Sequence, residues 1–365
     1  MDTIDFNADE RFLWLRFVLN PSATRPAVKD WQRLFLFAQH QALIGVCDPT
    51  RFKIKEINPI LALTWMGKSE LLRERNTLLN KQSATLSHTL QEAGFRCCIL
   101  KGQGNAAMYP PELVRMPGDI DVWVEADHDA LLEYVRSRFP EQNESFKHVK
   151  FPLFEDTDVD MHYTPLKVYH LRHNTRLQEW LENNREQQMT HRVKLADADA
   201  DVAIPTPEFN AVYQLGHIMI HAEDQGIGLR QLVDYYFVLK ALSGAGQEAK
   251  QSIINTWKRL GMARMASAVM WIEHEMLGLP EEYLLIAPNE RRGRILAADI
   301  LAGGNFGRYS ERQDYERYGH YVKKYADIFH LLKLAPCFPG EALFKLGGKI
   351  KTIIRITFKR RWHRR

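Results

Sequence analysis

Hydrophobic positions change their period twice along the chain. Over residues 31–44, Trp31, Leu34, Phe35, Ala38 and Ala42 recur at helical spacings, and 71–93 is a long polar-apolar stretch ending at Gly94. Residues 1–92 therefore read as a helical region. Shorter apolar runs follow. They predict a strand over 95–100, a short helix over 104–109 stopped by Pro110 and Pro111, a strand over 119–125 and a helix over 127–139. Residues 151–163 read as a hairpin with its polar turn at Asp156 and Thr157. Helical spacing returns over 169–183. After an acidic loop at 197–201, residues 206–334 predict a helical bundle, with Thr206 as its cap and Pro207 in the first turn. The pattern predicts an α+β chain divided into a helical region (1–92), a mixed-sheet core (93–168), a C-terminal helical domain (169–340) and a basic tail (341–365).

Carboxylates punctuate the strands. Side chains on a strand alternate faces, so Asp119 and Asp121 point to one side while Ile120, Val122 and Val124 point to the other. Two adjacent carboxylates invite a hard divalent cation; magnesium takes one or two of them and completes its octahedron with phosphate oxygens and water. A clamp of two metals needs a third carboxylate. On the strand expected after the 156–157 turn, Asp158, Asp160 and His162 share a face. Asp160 is the stronger third ligand because Val159 and Met161 enclose it, whereas Asp158 belongs as readily to the turn.

Each motif has a plainer reading beside it. Asp-x-Asp is common on surface strands, and Lys101 at a strand end is either an ordinary surface lysine or a phosphate contact, with Gly102 allowing close backbone approach. His217 and His221 stand at i and i+4 on a helix, a zinc spacing, but no Glu lies between them in the required place and no third ligand is evident. Zinc is not expected. Arg230 and Asp234 share the same spacing, which reads either as a solvated ion pair or as a cleft-lining set in which the arginine contacts phosphate. His162 either supports Asp160 from behind or simply packs.

Lys101-Gly102, Tyr109, Arg115 ahead of Gly118-Asp119-Ile120-Asp121, the Val159-Asp160-Met161-His162 strand, and His217, His221, Arg230 and Asp234 together resemble the uncharacterised bacterial nucleotidyltransferase family of the polymerase-beta-like superfamily. These residues fall within 30–240, most of the chain. The superfamily usually has Gly-Ser where this chain has Lys101-Gly102, so a hydroxyl is replaced by a cation. The resemblance implies a polymerase-beta-like mixed sheet and transfer of a nucleoside monophosphate from an NTP, ATP among them, to a hydroxyl acceptor that it does not identify, with release of pyrophosphate. Asp119, Asp121 and Asp160 are then the expected ligands of Mg2+, with Mn2+ as the alternative. Asp160 also helps deprotonate the acceptor, and Lys101, Gly102 and Arg115 hold the triphosphate. His162, His217, Arg230 and Asp234 are expected behind the ligands or along the cleft.

Composition narrows the remaining classes. The chain has 365 residues, 45% hydrophobic and 26% charged, enough for two or three packed units, and no bias of the kind that prevents folding. No run approaches a membrane span, and the acidic start lacks the basic region of a signal peptide, so a cytoplasmic protein is expected. Cys47, Cys97, Cys98 and Cys337 have neither metal nor secreted spacing and read as buried thiols. Residues 345–365 carry nine Lys or Arg and no acid, while the rest has forty basic against forty-five acidic residues. That tail is expected either to be solvated or to meet an anionic membrane surface or a nucleic acid, which would make the protein peripheral at the membrane in the first case. Two rival readings accompany the enzyme: a silent nucleotide-binding regulator, and a surface-binding module working through the tail.

Overall fold

A computed structural model describes residues 5–21, 24–142, 144–145, 147–310 and 320–349, side chains at 320, 321 and 323 excepted. The helix expected over 350–362 and most of the basic tail lie outside the described residues. Helices α1 (Glu10–Leu19), α2 (Trp31–His40) and α3 (Pro59–Glu92) come first. α3 starts well before the expected residue 71. Asn58 caps it by accepting from the amides of Ile60 and Leu61, and Pro59 occupies the first turn, where a missing N–H costs nothing. α2 stops at His40 instead of continuing to residue 44 because the backbone turns left-handed at Ala42, φ 57°.

The sheet contains β1 (Cys97–Leu100), β2 (Ile120–Val124), β3 (His148–Lys150) and β4 (Val159–His162) in the order β1-β2-β4-β3. β2 and β4 run parallel, while β1 and β3 flank them antiparallel. The expected hairpin is present but displaced. Its first arm is 148–150 rather than a strand beginning at Phe151, because the pairing Lys150 with Asp160 leaves a wide loop ahead of Val159. Between β1 and β2 lies the short α4 (Gly102–Ala106), and α5 (His128–Arg138) follows β2.

One face of the sheet packs on helices. Ile99, Ile120, Val122, Val124, Val159 and Met161 form a core with Leu79, Leu86 and Leu90 of α3 and with Leu131 and Val135 of α5. The opposite face sends Cys98, Leu100 and Trp123 into a second, larger core. That core joins α1 and α2 to the C-terminal helices α7 (Pro207–Asp224), α8 (Leu229–Ala241), α9 (Gln247–Arg259), α10 (Ala263–Glu275) and α11 (Glu290–Gly303). Buried Trp14, Trp65, Tyr213 and Trp257 fill it; each large apolar side chain so buried contributes roughly 1.5–3 kcal/mol of transfer free energy. Thr206 caps α7 through the Phe209 amide, with Pro207 in the first turn. α6 (Leu171–Thr190) runs past the expected residue 183, and the acidic loop at 197–201 separates a small hairpin of β5 (Arg192–Lys194) and β6 (Asp201–Ala203) that the three-residue strands did not announce. All four cysteines are free and buried. Among the described residues, no helix is long and apolar enough to cross a membrane.

Candidate active site

The carboxylates are assembled by strand register. Asp121 of β2 lies beside Asp160 of parallel β4, and Asp119 stands just before β2. One oxygen from each of Asp119, Asp121 and Asp160 lies within 4.8 Å of the others. The three sit in a cleft of about 750 Å3 that the sheet, α4, α7 and α8 enclose. Of the two strand carboxylates considered as third ligand, Asp160 joins the cluster; Asp158 faces Lys150 at 3.5 Å.

The triad is electrostatically uneven. Asp121 is buried, with Lys101 Nζ 2.8 Å from one oxygen and His162 Nε2 2.7 Å from the other. Burial alone opposes its charge, but these two neighbours outweigh it and hold its carboxyl well below the usual range. Asp119 reaches solvent in the cleft, and the Asp121 carboxylate, with partial burial, pushes its pKa up. Asp160 has Oδ2 3.4 Å from His148 Nε2; its Oδ1 is buried with no hydrogen bond among the described residues, and Lys150 Nζ stands 3.9 Å from it. A buried carboxylate oxygen without a hydrogen bond is costly unless a close cation or a proton satisfies it.

Lys101 is held on the cleft floor rather than waving at the surface. The chain leaves β1 through Lys101 at φ 45°, ψ −132°, a region that favours glycine, and then Gly102 at φ 28°. A non-glycine residue there costs on the order of 1–3 kcal/mol and persists only where its surroundings demand it. Its ammonium bridges Asp121 and His217, whose Nε2 is 3.1 Å away. Burial disfavours that charge, yet Asp121 beside it raises the lysine above its usual value. An ammonium can only donate, so His217 Nε2 accepts and the neutral ring carries its proton on Nδ1. Burial, then the Lys101 charge, depress His217 strongly; His221 Nε2, 3.0 Å from His217 Nε2, falls to about 4 for the same reasons. Both rings are neutral at pH 7.

A second set of charges forms the wall near Asp119. Arg115 and Asp234 are both buried and joined by bonds of 2.7 and 2.8 Å from Nε and NH2, and Tyr109 donates its hydroxyl to the same carboxylate at 2.7 Å. This corrects the solvated Arg230–Asp234 pair suggested by helical spacing. Arg115 takes both oxygens in a planar fork, which a neighbour on Asp234's own helix cannot match while facing the cleft. Arg230 instead donates from NH1 to the Met116 carbonyl at 3.2 Å and lies over the Phe306 ring at 5.3 Å. Its Nε is buried with no hydrogen bond among the described residues. Burial, then the neighbouring Arg115 charge, lower its pKa to about 10, so it remains a cation at neutral pH.

Gly118 carries no side chain against Arg230; a Cβ there would lie 3.9 Å from NH1. Asn105 of α4 and Gln214 of α7 exchange amide hydrogen bonds of 3.1 and 2.6 Å, fixing the Lys101–Gly102 turn to the helical wall. Lys101, Gly102, Arg115, Asp119, Asp121, Asp160, His162, His217, Arg230 and Asp234, all given site roles from the sequence, line this cleft, whereas Tyr109 and Asp158 are not part of its lining. Lys147, His148, Gln214, Phe306 and Arg308 also line it and were not foreseen. His148 had a usable signal, since a hairpin register with Asp160 near Lys150 sets it on the carboxylate side; Phe306 and Arg308 arrive from a distant turn and left none.

No curated protein matches the chain. Among solved structures, an antigenic nucleotidyltransferase-like protein from Paracoccidioides brasiliensis aligns at 15% identity over 50% of this chain and 88% of its own, with a TM-score of 0.30. The sequence profile of the family described as uncharacterised nucleotidyltransferase matches residues 27–278, which includes the sheet, the acidic triad and the helices that close the cleft; the chain belongs to that family.

Proposed function

We propose that the protein is a metal-dependent nucleotidyltransferase that moves a nucleoside monophosphate from an NTP to a hydroxyl acceptor and releases pyrophosphate. The observation that carries this reading is the convergence of the Asp119, Asp121 and Asp160 oxygens on the wall of an open, cation-lined cleft. All-oxygen donors suit magnesium, or manganese in its place, and the Oδ1 of Asp160, buried with no hydrogen bond among the described residues, is the kind of atom a close cation satisfies. When bound there, such an ion supplies neutralisation of phosphate charge and a more acidic acceptor hydroxyl.

The chain's own residues do the rest. Asp121 is kept ionised by Lys101 and His162, so it is a ready ligand across the neutral pH range. Asp160 accepts the acceptor's proton as the new oxygen–phosphorus bond forms. Lys101 and Arg115 are each neutralised by a carboxylate, whereas Arg230 keeps a buried Nε with no hydrogen bond among the described residues. Arg230 holds the triphosphate and stabilises the charge that develops on pyrophosphate, while Gly102 and Gly118 leave room for it. The neutral His217 positions the Lys101 ammonium without adding charge.

The test is pyrophosphate release from each NTP, with magnesium or manganese and a cell extract as the source of acceptor. Wild type is compared with Asp119→Ala/Asp121→Ala. Release by the wild type that the double variant loses is the expected result. Absence of both release and NTP binding in folded wild type would sink the assignment.

A further inference from the structure

Lys147 lines the cleft and has no part in the catalysis set out above. It is half-buried, and among the described residues its ammonium has no ion pair. The charges that act on it most strongly are those of Lys101, Asp121, Asp160 and Asp224. Each of these three carboxylates already has other partners. Asp121 holds Lys101 and His162, Asp160 lies 3.4 Å from His148 and 3.9 Å from Lys150, and Asp224 holds Lys345. A tight turn fixes the backbone here: Ser145 Oγ accepts from the amides of Lys147 and His148 at 3.3 and 3.1 Å, and the Ser145 amide donates to the His148 carbonyl at 2.8 Å. An ammonium only donates, so a half-buried one on a cleft wall is completed by an anion.

Strand order sets Lys147 across the triad from Arg230. β3 is the outer strand beside β4, and His148 opposes His162, so Lys147 stands past the His162 end of β4. Arg230 meets the chain ahead of β2, at Met116 and Gly118, beyond the opposite end. The ionisable groups that act most on Arg230 are Arg115, Asp234, Tyr109 and Asp119, a set with no member in common with that of Lys147. An in-line displacement has its leaving and attacking oxygens on opposite sides of the α-phosphorus. With pyrophosphate held at Arg230, the acceptor enters on the Asp160 side, beside Lys147.

We infer that Lys147 binds the acceptor, and that the acceptor is a hydroxyl compound carrying an anionic group, phosphate or carboxylate. This assignment rests on the nucleotidyl transfer proposed above and deepens it. The acceptor's hydroxyl oxygen forms the new bond to the α-phosphorus and its proton passes to Asp160. The bond from that phosphorus to the bridging oxygen breaks, and its electron pair leaves with pyrophosphate. Lys147 holds the acceptor's anion through charge-assisted hydrogen bonds while this happens. Two anionic substrates thus each meet a cation of their own.

Protein saturated with magnesium tripolyphosphate is titrated by calorimetry with inorganic phosphate and, separately, with acetate. Wild type is expected to bind one or both, and the anion that binds names the group. Binding should weaken about tenfold or more in Lys147→Met, at unchanged melting temperature, and return in Lys147→Arg. In pyrophosphate release, the small-molecule fraction of an extract that an anion exchanger retains is expected to supply the acceptor, and Lys147→Met to raise the KM for that fraction and not for the NTP. No binding of either anion by saturated wild type, or equal binding by Lys147→Met, would overturn the inference. So would release sustained by the unretained fraction, or a tripolyphosphate affinity lowered as much by Lys147→Met as by Arg230→Gln, which would give Lys147 to the NTP. Wild type that binds no magnesium tripolyphosphate fails on the nucleotidyl transfer beneath and overturns both.

Discussion

Arg115 takes both oxygens of Asp234 at 2.7 and 2.8 Å, although 119 residues separate them. Arg230, one helical turn from Asp234 on α8, is thereby left without a carboxylate. The pair neutralises one guanidinium and sharpens the other. An arginine that is buried, cationic and only partly bonded on the wall of the cleft has an anion as its natural complement.

Arg230→Gln is therefore expected to raise the KM for the NTP about 10- to 100-fold, the value of one or two lost charge-assisted hydrogen bonds. Arg230→Lys keeps the charge but not the fork and should recover only part of the loss. Binding of inorganic tripolyphosphate, measured by calorimetry, checks the same point without turnover. An unchanged affinity in Arg230→Gln would place the phosphates elsewhere.

Asp234→Asn is a stability variant first. It leaves Arg115 buried with a neutral partner and weakens the Tyr109 hydrogen bond, and breaking a buried pair on one side costs about 3–5 kcal/mol. Urea unfolding should show a midpoint lowered accordingly with an unchanged slope. A loss below about 1 kcal/mol, the worth of an exposed pair, would mean that water reaches the site.

What the sequence revealed here was what local rules govern. Period-two alternation set Asp119 and Asp121 against Ile120 and Val122, and the Val159–Met161 enclosure picked Asp160 over Asp158, because strand geometry is fixed by neighbouring residues. Local spacing offered Asp234 the wrong arginine as its ion-pair partner, because that partner is decided by which guanidinium can present two parallel donors to it. The start of α3 lay in an Asn58–Pro59 cap too short to stand out from its surroundings. Phe306 and Arg308 reach the cleft only through the packing of the helical wall, and no periodicity encodes that.

The triad should be unstable toward itself without a cation. Asp121 raises the pKa of Asp119 by repulsion, so Asp119→Asn should melt at or slightly above wild type in chelator. Magnesium should then raise the melting temperature of wild type but not of the variant, since a ligand at about 100 times its Kd adds roughly 2.7 kcal/mol to the native state. Turnover should fall roughly a thousandfold or more in the same variant. A magnesium shift that survives Asp119→Asn would remove that carboxylate from the ligand set.

His221 supplies the acid limb of stability. Burial, with the charges of Lys101 and Lys147, lowers it to about 4 in the folded protein, against about 6.5 in an unfolded chain. A group whose folded pKa is depressed contributes stability that is fully present above the unfolded value, here above pH 6.5, and loses it as pH falls toward 4. At roughly 1.4 kcal/mol for each pH unit, the full loss is on the order of 3–4 kcal/mol. His217, depressed more strongly, pulls the same way over the same range. His221→Gln removes one proton that the unfolded chain takes up preferentially, so the decline in urea midpoint between pH 7 and pH 5 should be visibly shallower than in wild type. An identical slope in both would mean that His221 is open enough to protonate in the folded state, and its ring would then carry charge into the cleft where a neutral one is required beside Lys101.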